Sequence, residues 1–211
     1  MNDSYITVSK RSCEEITVNK SRFIGYATRC ASENEALSFL QSVKDEHKTA
    51  THHCYAYIIG TNSGVMRYSD DGEPGGTAGL PIMDTMRMKN VVDCCIVVVR
   101  YFGGTLLGTG GLVRAYTQSA QAALSASGIV RMEKTRLYHC SLPYSVWDKF
   151  RYVADRQPVH IINTEYGSAI SFTLALRSFE ADKLLLLLTD SSDRALNSRF
   201  TEEIYSAWDC N

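Results

Sequence analysis

The residues best suited to chemistry gather between Ser69 and Tyr116. Ser69-Asp70-Asp71-Gly72-Glu73 places three carboxylates within four positions, a composition able to bind a hard cation or supply a general base. The spacing is not that of an EF-hand loop, and surface turns carry Asp and Gly for backbone reasons alone, so no metal and no cofactor are assigned. Further on, Arg100-Tyr101-Phe102 joins a fork of donors to two stacking faces, the combination that grips a nucleobase or single-stranded RNA. Next comes Gly103-Gly104-Thr105-Leu106-Leu107-Gly108-Thr109-Gly110-Gly111, whose amides, ahead of a helix, could hold a phosphate or carboxylate. It is not a Walker loop, because Thr109 rather than Lys follows Gly108, and Val113 falls where a dinucleotide fingerprint needs a small residue. The glycines equally suit sharp turns and close packing. Arg114, one turn into the helix, could join Arg100 or lie solvated. His52 and His53 point to opposite faces of their strand, so at most one joins a site readily, and His52 is counted with it. No nucleophile, base and orienting residue stand at interpretable spacing, so no catalytic residue is named.

The elements that position these residues follow from periodicity. Val91 to Val99 is a buried strand, too short for a membrane span and rich in β-branched residues. By alternation Arg100 and Phe102 share a face and Tyr101 lies opposite. Thr77 to Met88 reads as a helix with Pro81 in or near its first turn. Leu112, Val113, Tyr116, Ala120, Ala123 and Leu124 recur at helical spacing, with Gly128 just past the end. Upstream, Tyr5 to Val8, Glu15 to Val18 and Phe23 to Thr28 read as strands. Ser32-Glu33-Asn34-Glu35 is a capping box for a helix that presents Ala36, Leu37, Leu40 and Val43 and ends near His47. Thr51 to Ile59 is a strand closed by Gly60, and Asn62-Ser63-Gly64 suits a turn into Val65 to Tyr68.

From about Thr135 the pattern changes. Leu137 to Leu142 is a strand, and Ser145 could cap a helix burying Val146, Trp147, Phe150 and Val153 that stops before Pro158. Val159 to Tyr166 and Ala169 to Leu176 are strands joined by Gly167-Ser168 as a two-residue hairpin. A helix from about Phe179 to Thr189 and a strand near Arg199 to Tyr205 complete the order β-α-β-β-α-β, that of a ferredoxin-like split βαβ unit. The expected boundary lies near Lys134, giving domains 1–134 and 135–211.

Composition narrows the classes. Of 211 residues 45% are apolar and 21% charged, with 22 Lys and Arg against 23 Asp and Glu, so the global field is weak. That does not describe a strongly basic nucleic-acid binder, though a local basic groove is compatible with it. Seven Cys, two of them adjacent at 94 and 95 and none in a C-x-x-C pair, argue against a disulfide framework or a zinc ribbon. The N-terminal residues hold no apolar core of signal-peptide length. The expectation is a reduced, soluble, cytoplasmic protein.

Several blocks resemble a known family. Gly79-Leu80-Pro81-Ile82-Met83 and Val97-Val98-Val99-Arg100-Tyr101-Phe102-Gly103-Gly104-Thr105-Leu106-Leu107-Gly108 are similar to the defining pattern of the IMPACT (YigZ-like) family. Lys20-Ser21-Arg22-Phe23-Ile24, Thr51-His52-His53-Cys54-Tyr55-Ala56-Tyr57, Ser69 to Pro74 and Gly110 to Tyr116 resemble further family blocks, while position 75, often Ser or Pro there, is Gly. The resemblance implies an α+β protein of the bacterial two-domain type. Its N-terminal domain would have the left-handed βαβ fold of a ribosomal protein and of domain IV of elongation factor G, and its C-terminal domain would be ferredoxin-like. Eukaryotic members regulate translation by competing for the co-activator of a stress kinase. That mechanism uses an extra N-terminal domain and is not expected to transfer.

The leading expectation is therefore a non-enzymatic cytoplasmic protein that binds RNA, the ribosome or a translation-related protein, with no membrane partner and no sequence-specific DNA role. Its binding residues would be Arg100, Tyr101, Phe102, Arg114 and His52, with Lys20, Arg22 and the amides of Gly103, Gly104 and Gly108 at phosphates. The alternative is an enzyme acting on a phosphorylated or nucleotide-like small molecule, with Asp70, Asp71 or Glu73 holding a metal or acting as base.

Overall fold

A computed structural model describes the backbone of residues 4–60 and 64–209. The chain forms two units, one reaching Arg131 and the other Met132–Trp208. In the first, the elements run β1 (Ser4–Val8), β2 (Ser12–Val18), β3 (Ser21–Arg29), α1 (Glu33–Glu46), β4 (His52–Ile59), β5 (Val65–Ser69), α2 (Gly79–Met88), β6 (Cys94–Tyr101) and α3 (Gly108–Ala126). Five strands make one sheet in the order β2-β3-β6-β4-β5, each neighbouring pair antiparallel.

The central strand β6 is buried on both faces, which is why its sequence is apolar without a break. Cys94, Ile96 and Val98 face one core with Phe23, Cys54 and Ala56, closed by Ile82 and Met86 of α2 and Leu112, Tyr116 and Ala120 of α3. Cys95, Val97 and Val99 face another with Ile24, Tyr26 and Tyr57, closed by Phe39, Leu40 and Val43 of α1.

Several boundaries differ from expectation for local reasons. β6 starts at Cys94, not Val91, because Asn90 and Asp93 sit at φ 53° and 49°, where an extended strand cannot continue. Val91 instead makes an isolated bridge to Ile6, and the Val92 amide donates to the Ile6 carbonyl at 2.9 Å. The capping box at α1 is present. Ser32 Oγ accepts from the Glu35 amide at 3.3 Å, and Glu35 Oε2 accepts from the Ala31 amide at 2.9 Å. Its buried face is Ala36, Phe39, Leu40 and Val43, with Leu37 exposed. Val113 of α3 is likewise exposed. α3 begins at Gly108, so Gly110 and Gly111 belong to its first turn rather than to the loop. Gly128, at φ 68°, follows the C-cap Ser127 as expected. Asn62 and Ser63 of the expected turn lie outside the described residues.

The second unit is β7 (Ile129–Leu142), α4 (Tyr144–Ala154), β8 (Val159–Tyr166), β9 (Ile170–Arg177), α5 (Ala181–Ser191) and β10 (Asn197–Asp209), so the division between the units falls inside β7. The strand order β10-β7-β9-β8 is the ferredoxin-like split βαβ arrangement. Leu142, Phe172 and Leu174 of the sheet pack with Phe150 of α4 and Leu184 and Leu188 of α5. The N-cap of α4 is Pro143 rather than Ser145, with no side-chain cap. The hairpin loop is 167–169, closed by the Gly167 amide on the Ala169 carbonyl at 3.1 Å, so it is one residue longer than a two-residue turn. No described helix is long and apolar enough to cross a membrane.

Candidate binding cleft at the end of β6

Arg100 is the last fully buried residue of β6, 5% exposed, and a cation there needs a counter-charge. Glu73 supplies it. Its Oε1 accepts from Arg100 Nη1 at 2.6 Å and from the Tyr116 hydroxyl at 2.7 Å, so α3, β6 and the acidic loop meet on one oxygen. Arg100 Nη2 reaches Ser21 Oγ at 3.4 Å, and the guanidinium lies over the rings of Phe23 and Phe102 at 5.4 and 5.5 Å. Its Nε has no hydrogen-bond partner among the described residues. Burial drives the Tyr116 hydroxyl far above the ordinary tyrosine range, which keeps it a donor to Glu73. Burial also pushes the Cys54 thiol up to about 12, so Cys54, whose Sγ approaches the Tyr116 hydroxyl at 3.4 Å, stays protonated and is no nucleophile.

His52 pairs in register with Arg100 on the same sheet face. Its Nδ1 lies 2.7 Å from the Asp71 carbonyl, which can only accept, so Nδ1 carries a proton. Nε2 stands 3.8 Å from Glu73 Oε1 and, in the neutral ring, is an acceptor for a ligand hydroxyl.

A cleft of about 420 Å³ opens over this cluster, lined by His52, Glu73, Arg100 and the walls Pro74, Phe102, Leu106, Leu107 and Leu112, with Gly108 and Thr109 at one end. Phe102 is 46% exposed at its margin. Gly103 lies where a Cβ would come within 2.1 Å of the Lys20 carbonyl, so only glycine lets the loop root pack against the β2–β3 turn. The Gly103 amide donates to Ser21 Oγ at 3.1 Å. Gly104 and Gly108 take φ 81° and 67°. No side chain caps α3, whose first four amides lack intrahelical partners.

The three carboxylates diverge. Asp70 caps α2, accepting from the Ala78 and Gly79 amides on Oδ1 at 3.0 and 2.8 Å and from Gly76 on Oδ2 at 2.8 Å. Asp71 Oδ2 accepts from the His53 amide at 2.6 Å. Only Glu73 faces the cleft. Among the described residues no three His, Cys, Asp or Glu side chains gather as metal ligands.

Of the remaining sequence candidates, Tyr101 lies on the opposite sheet face, its hydroxyl 2.9 Å from His47 Nδ1. Arg22 sits there too, over the Tyr101 ring at 5.3 Å and bidentate to Glu15 at 2.9 and 2.8 Å. Lys20 is exposed in the β2–β3 turn and Arg114 on α3, neither lining the cleft. Tyr116 and Ser21 were missed as site residues. Tyr116 carried a signal, since a tyrosine on a helix's buried stripe needs a partner for its hydroxyl. Ser21 carried none.

Fold and cleft together define a two-unit α+β protein with a ligand-sized recess at the end of its central strand. The chain belongs to the IMPACT family: residues 19–124 match the Impact N-terminal domain. It is 44% identical over 142 residues to the IMPACT family member YvyE of Bacillus subtilis, a match covering 67% of this chain and 65% of that one. It is 34% identical to the IMPACT family member YigZ of Escherichia coli, covering 88% and 92%. A crystal structure described as that of a hypothetical protein is 31% identical, with a TM-score of 0.61 over 96% of this chain and 99% of the other.

Proposed function

We propose that the chain is a non-enzymatic, cytoplasmic translation factor whose cleft at the end of β6 binds single-stranded RNA on the ribosome. The observation that carries this reading is Phe102, 46% exposed at the cleft margin, backed by the Arg100 guanidinium, in a recess that also holds the uncapped first turn of α3. An exposed ring beside free amides offers a base and a phosphate what each requires. Family membership supports the connection to translation, because the resemblance associates IMPACT proteins with translational control. The enzyme reading has less support, since Asp70 and Asp71 are spent on backbone amides.

The test is co-sedimentation with ribosomal subunits and fluorescence anisotropy with short single-stranded RNA, for wild type and Phe102→Ala. A stacked base contributes roughly 1–3 kcal/mol, so the substitution is expected to weaken binding about tenfold or more without lowering the Tm. Absence of binding to ribosomes and RNA at low salt overturns the reading.

A further inference from the structure

Most polar atoms on the floor of the cleft are already committed to one another. Glu73 Oε1 accepts from Arg100 at 2.6 Å and from Tyr116 at 2.7 Å. Ser21 Oγ accepts from Arg100 Nη2 at 3.4 Å and from the Gly103 amide at 3.1 Å. His52 Nε2 and Glu73 Oε2 are different, for they accept no hydrogen bond among the described residues. Neither is sealed from the cleft that both residues line, since the closed-off side-chain atoms without a partner in this unit are Arg100 Nε and Ser119 Oγ.

Both free atoms are acceptors. Nδ1 of His52 donates to the Asp71 carbonyl at 2.7 Å, so the neutral ring presents a lone pair at Nε2. A carboxylate oxygen can only accept. The imidazole and the carboxylate approach to 3.8 Å, Nε2 to Oε1, so their lone pairs lie within reach of one small rigid group. We infer that the cleft selects guanine, whose adjacent N1–H and N2–H donors meet Glu73 Oε2 and His52 Nε2 while its ring lies against Phe102. The polymer that carries the base rests on the RNA-binding reading; the choice of base does not.

The other bases match this floor less well. Adenine and cytosine have an unprotonated ring nitrogen at the centre of the Watson–Crick edge, which sets lone pair against lone pair. Uracil offers N3–H alone between two carbonyl oxygens. An acceptor left unpaired in a recess this dry weakens binding by about tenfold. Charge selects in the same direction. The Glu73 and Arg100 side chains cancel while 3% and 6% exposed, so the floor is neutral. A phosphate there would face the free carboxylate oxygen, and a cation would be desolvated between Pro74, Phe102, Leu107 and Leu112 beside a carboxylate that is already paired. A neutral base avoids both costs, and Phe102, 46% exposed, gives it a stacking face.

The experiment is equilibrium binding of the full chain to GMP, IMP, 1-methyl-GMP, AMP, CMP and UMP, which share one phosphate, and to the tetranucleotides UUGU and UUUU and to N-acetylarginine amide. GMP is expected to bind about tenfold or more tightly than AMP, CMP or UMP. IMP lacks the N2 amine and should bind about tenfold more weakly than GMP, with 1-methyl-GMP at least as weak. UUGU should exceed UUUU in the same sense. His52→Asn keeps a donor for the Asp71 carbonyl and removes Nε2, so it should weaken GMP binding about tenfold while AMP affinity and the Tm hold, which a merely destabilising change would not do.

Equal affinity across the bases, with the tetranucleotides bound, overturns the guanine assignment and leaves RNA binding standing. GMP no tighter than IMP or 1-methyl-GMP also overturns it, because the two donors are then unread. N-acetylarginine amide binding as tightly as GMP overturns it in favour of an arginine side chain of a partner protein. Selective GMP binding without RNA or ribosome binding supports the guanine seat and overturns the RNA-binding reading. Binding of no probe overturns both.

Discussion

Arg100 and Tyr101 are neighbours in β6, yet they serve opposite faces of the sheet by different physics. Arg100 enters a buried network built on one carboxylate oxygen, with Arg100 and Glu73 side chains 6% and 3% exposed. Tyr101 enters a half-buried chain in which His47 stands between two hydroxyls, Tyr101 at 2.9 Å and Tyr26 at 2.6 Å. A neutral imidazole has one donor and one acceptor, so it bridges the two tyrosines without charge. His53 Nε2 adds a bond to the His47 carbonyl at 3.1 Å. On the first face removing one partner strands a charge away from water, whereas on the second it strands only a dipole near solvent. The charged face is the one that opens into the cleft.

The largest test of that contrast is Glu73→Ala, which leaves Arg100 buried without its counter-charge and should lower the unfolding free energy by about 3–5 kcal/mol in urea titrations. Replacing both residues together, as Arg100→Met with Glu73→Met, should recover most of the loss, because the desolvation of both charges disappears. A double variant as unstable as the single one would mean that geometry rather than charge dominates.

Tyr101→Phe removes a single hydrogen bond on the other face and should cost only about 0.5–1.5 kcal/mol. A loss equal to that of Glu73→Ala would erase the distinction between the faces.

The smallest effect is a pH dependence. Burial holds the His47 pKa below its ordinary value, so the unfolded chain binds more protons than the folded one in the interval between the two values. Stability from this group is full above the unfolded pKa near 6.5 and is lost as pH falls toward the lower folded value. The Tm should therefore drop on acidification from pH 7 to 5, and the drop should be smaller in His47→Asn.

Much of this architecture was legible in local sequence. Ser32 and Glu35 gave the start of α1 because a capping box is complete within one turn. The alternation through residues 100–102 gave the division between the faces because a strand's period does not depend on its neighbours. The partners were not legible. Glu73 lies 27 positions from Arg100, and Ser21 lies 79 positions from it, so nothing local marks either as a ligand. The acidic loop misled by composition, since carboxylates adjacent in sequence turn to a helix end, a strand amide and a buried arginine. Residue type did not reveal that Arg22 reaches the other side of the sheet from Arg100, or that Lys20 and Arg114 stand in a turn and on a helix outside the cleft.

Gly103 separates two kinds of freedom in the recess. Up to that residue the loop is moored, with the Phe102 amide on Thr51 Oγ1 at 3.2 Å and the Gly103 amide on Ser21 Oγ. Beyond it the span 104–107 is bounded by left-handed glycines and carries Leu106, 87% exposed. Leu107 packs against the core and caps the start of α3, so Leu106 is the side chain of this span that can be exchanged while the arginine, the ring and the helix end keep their anchorage.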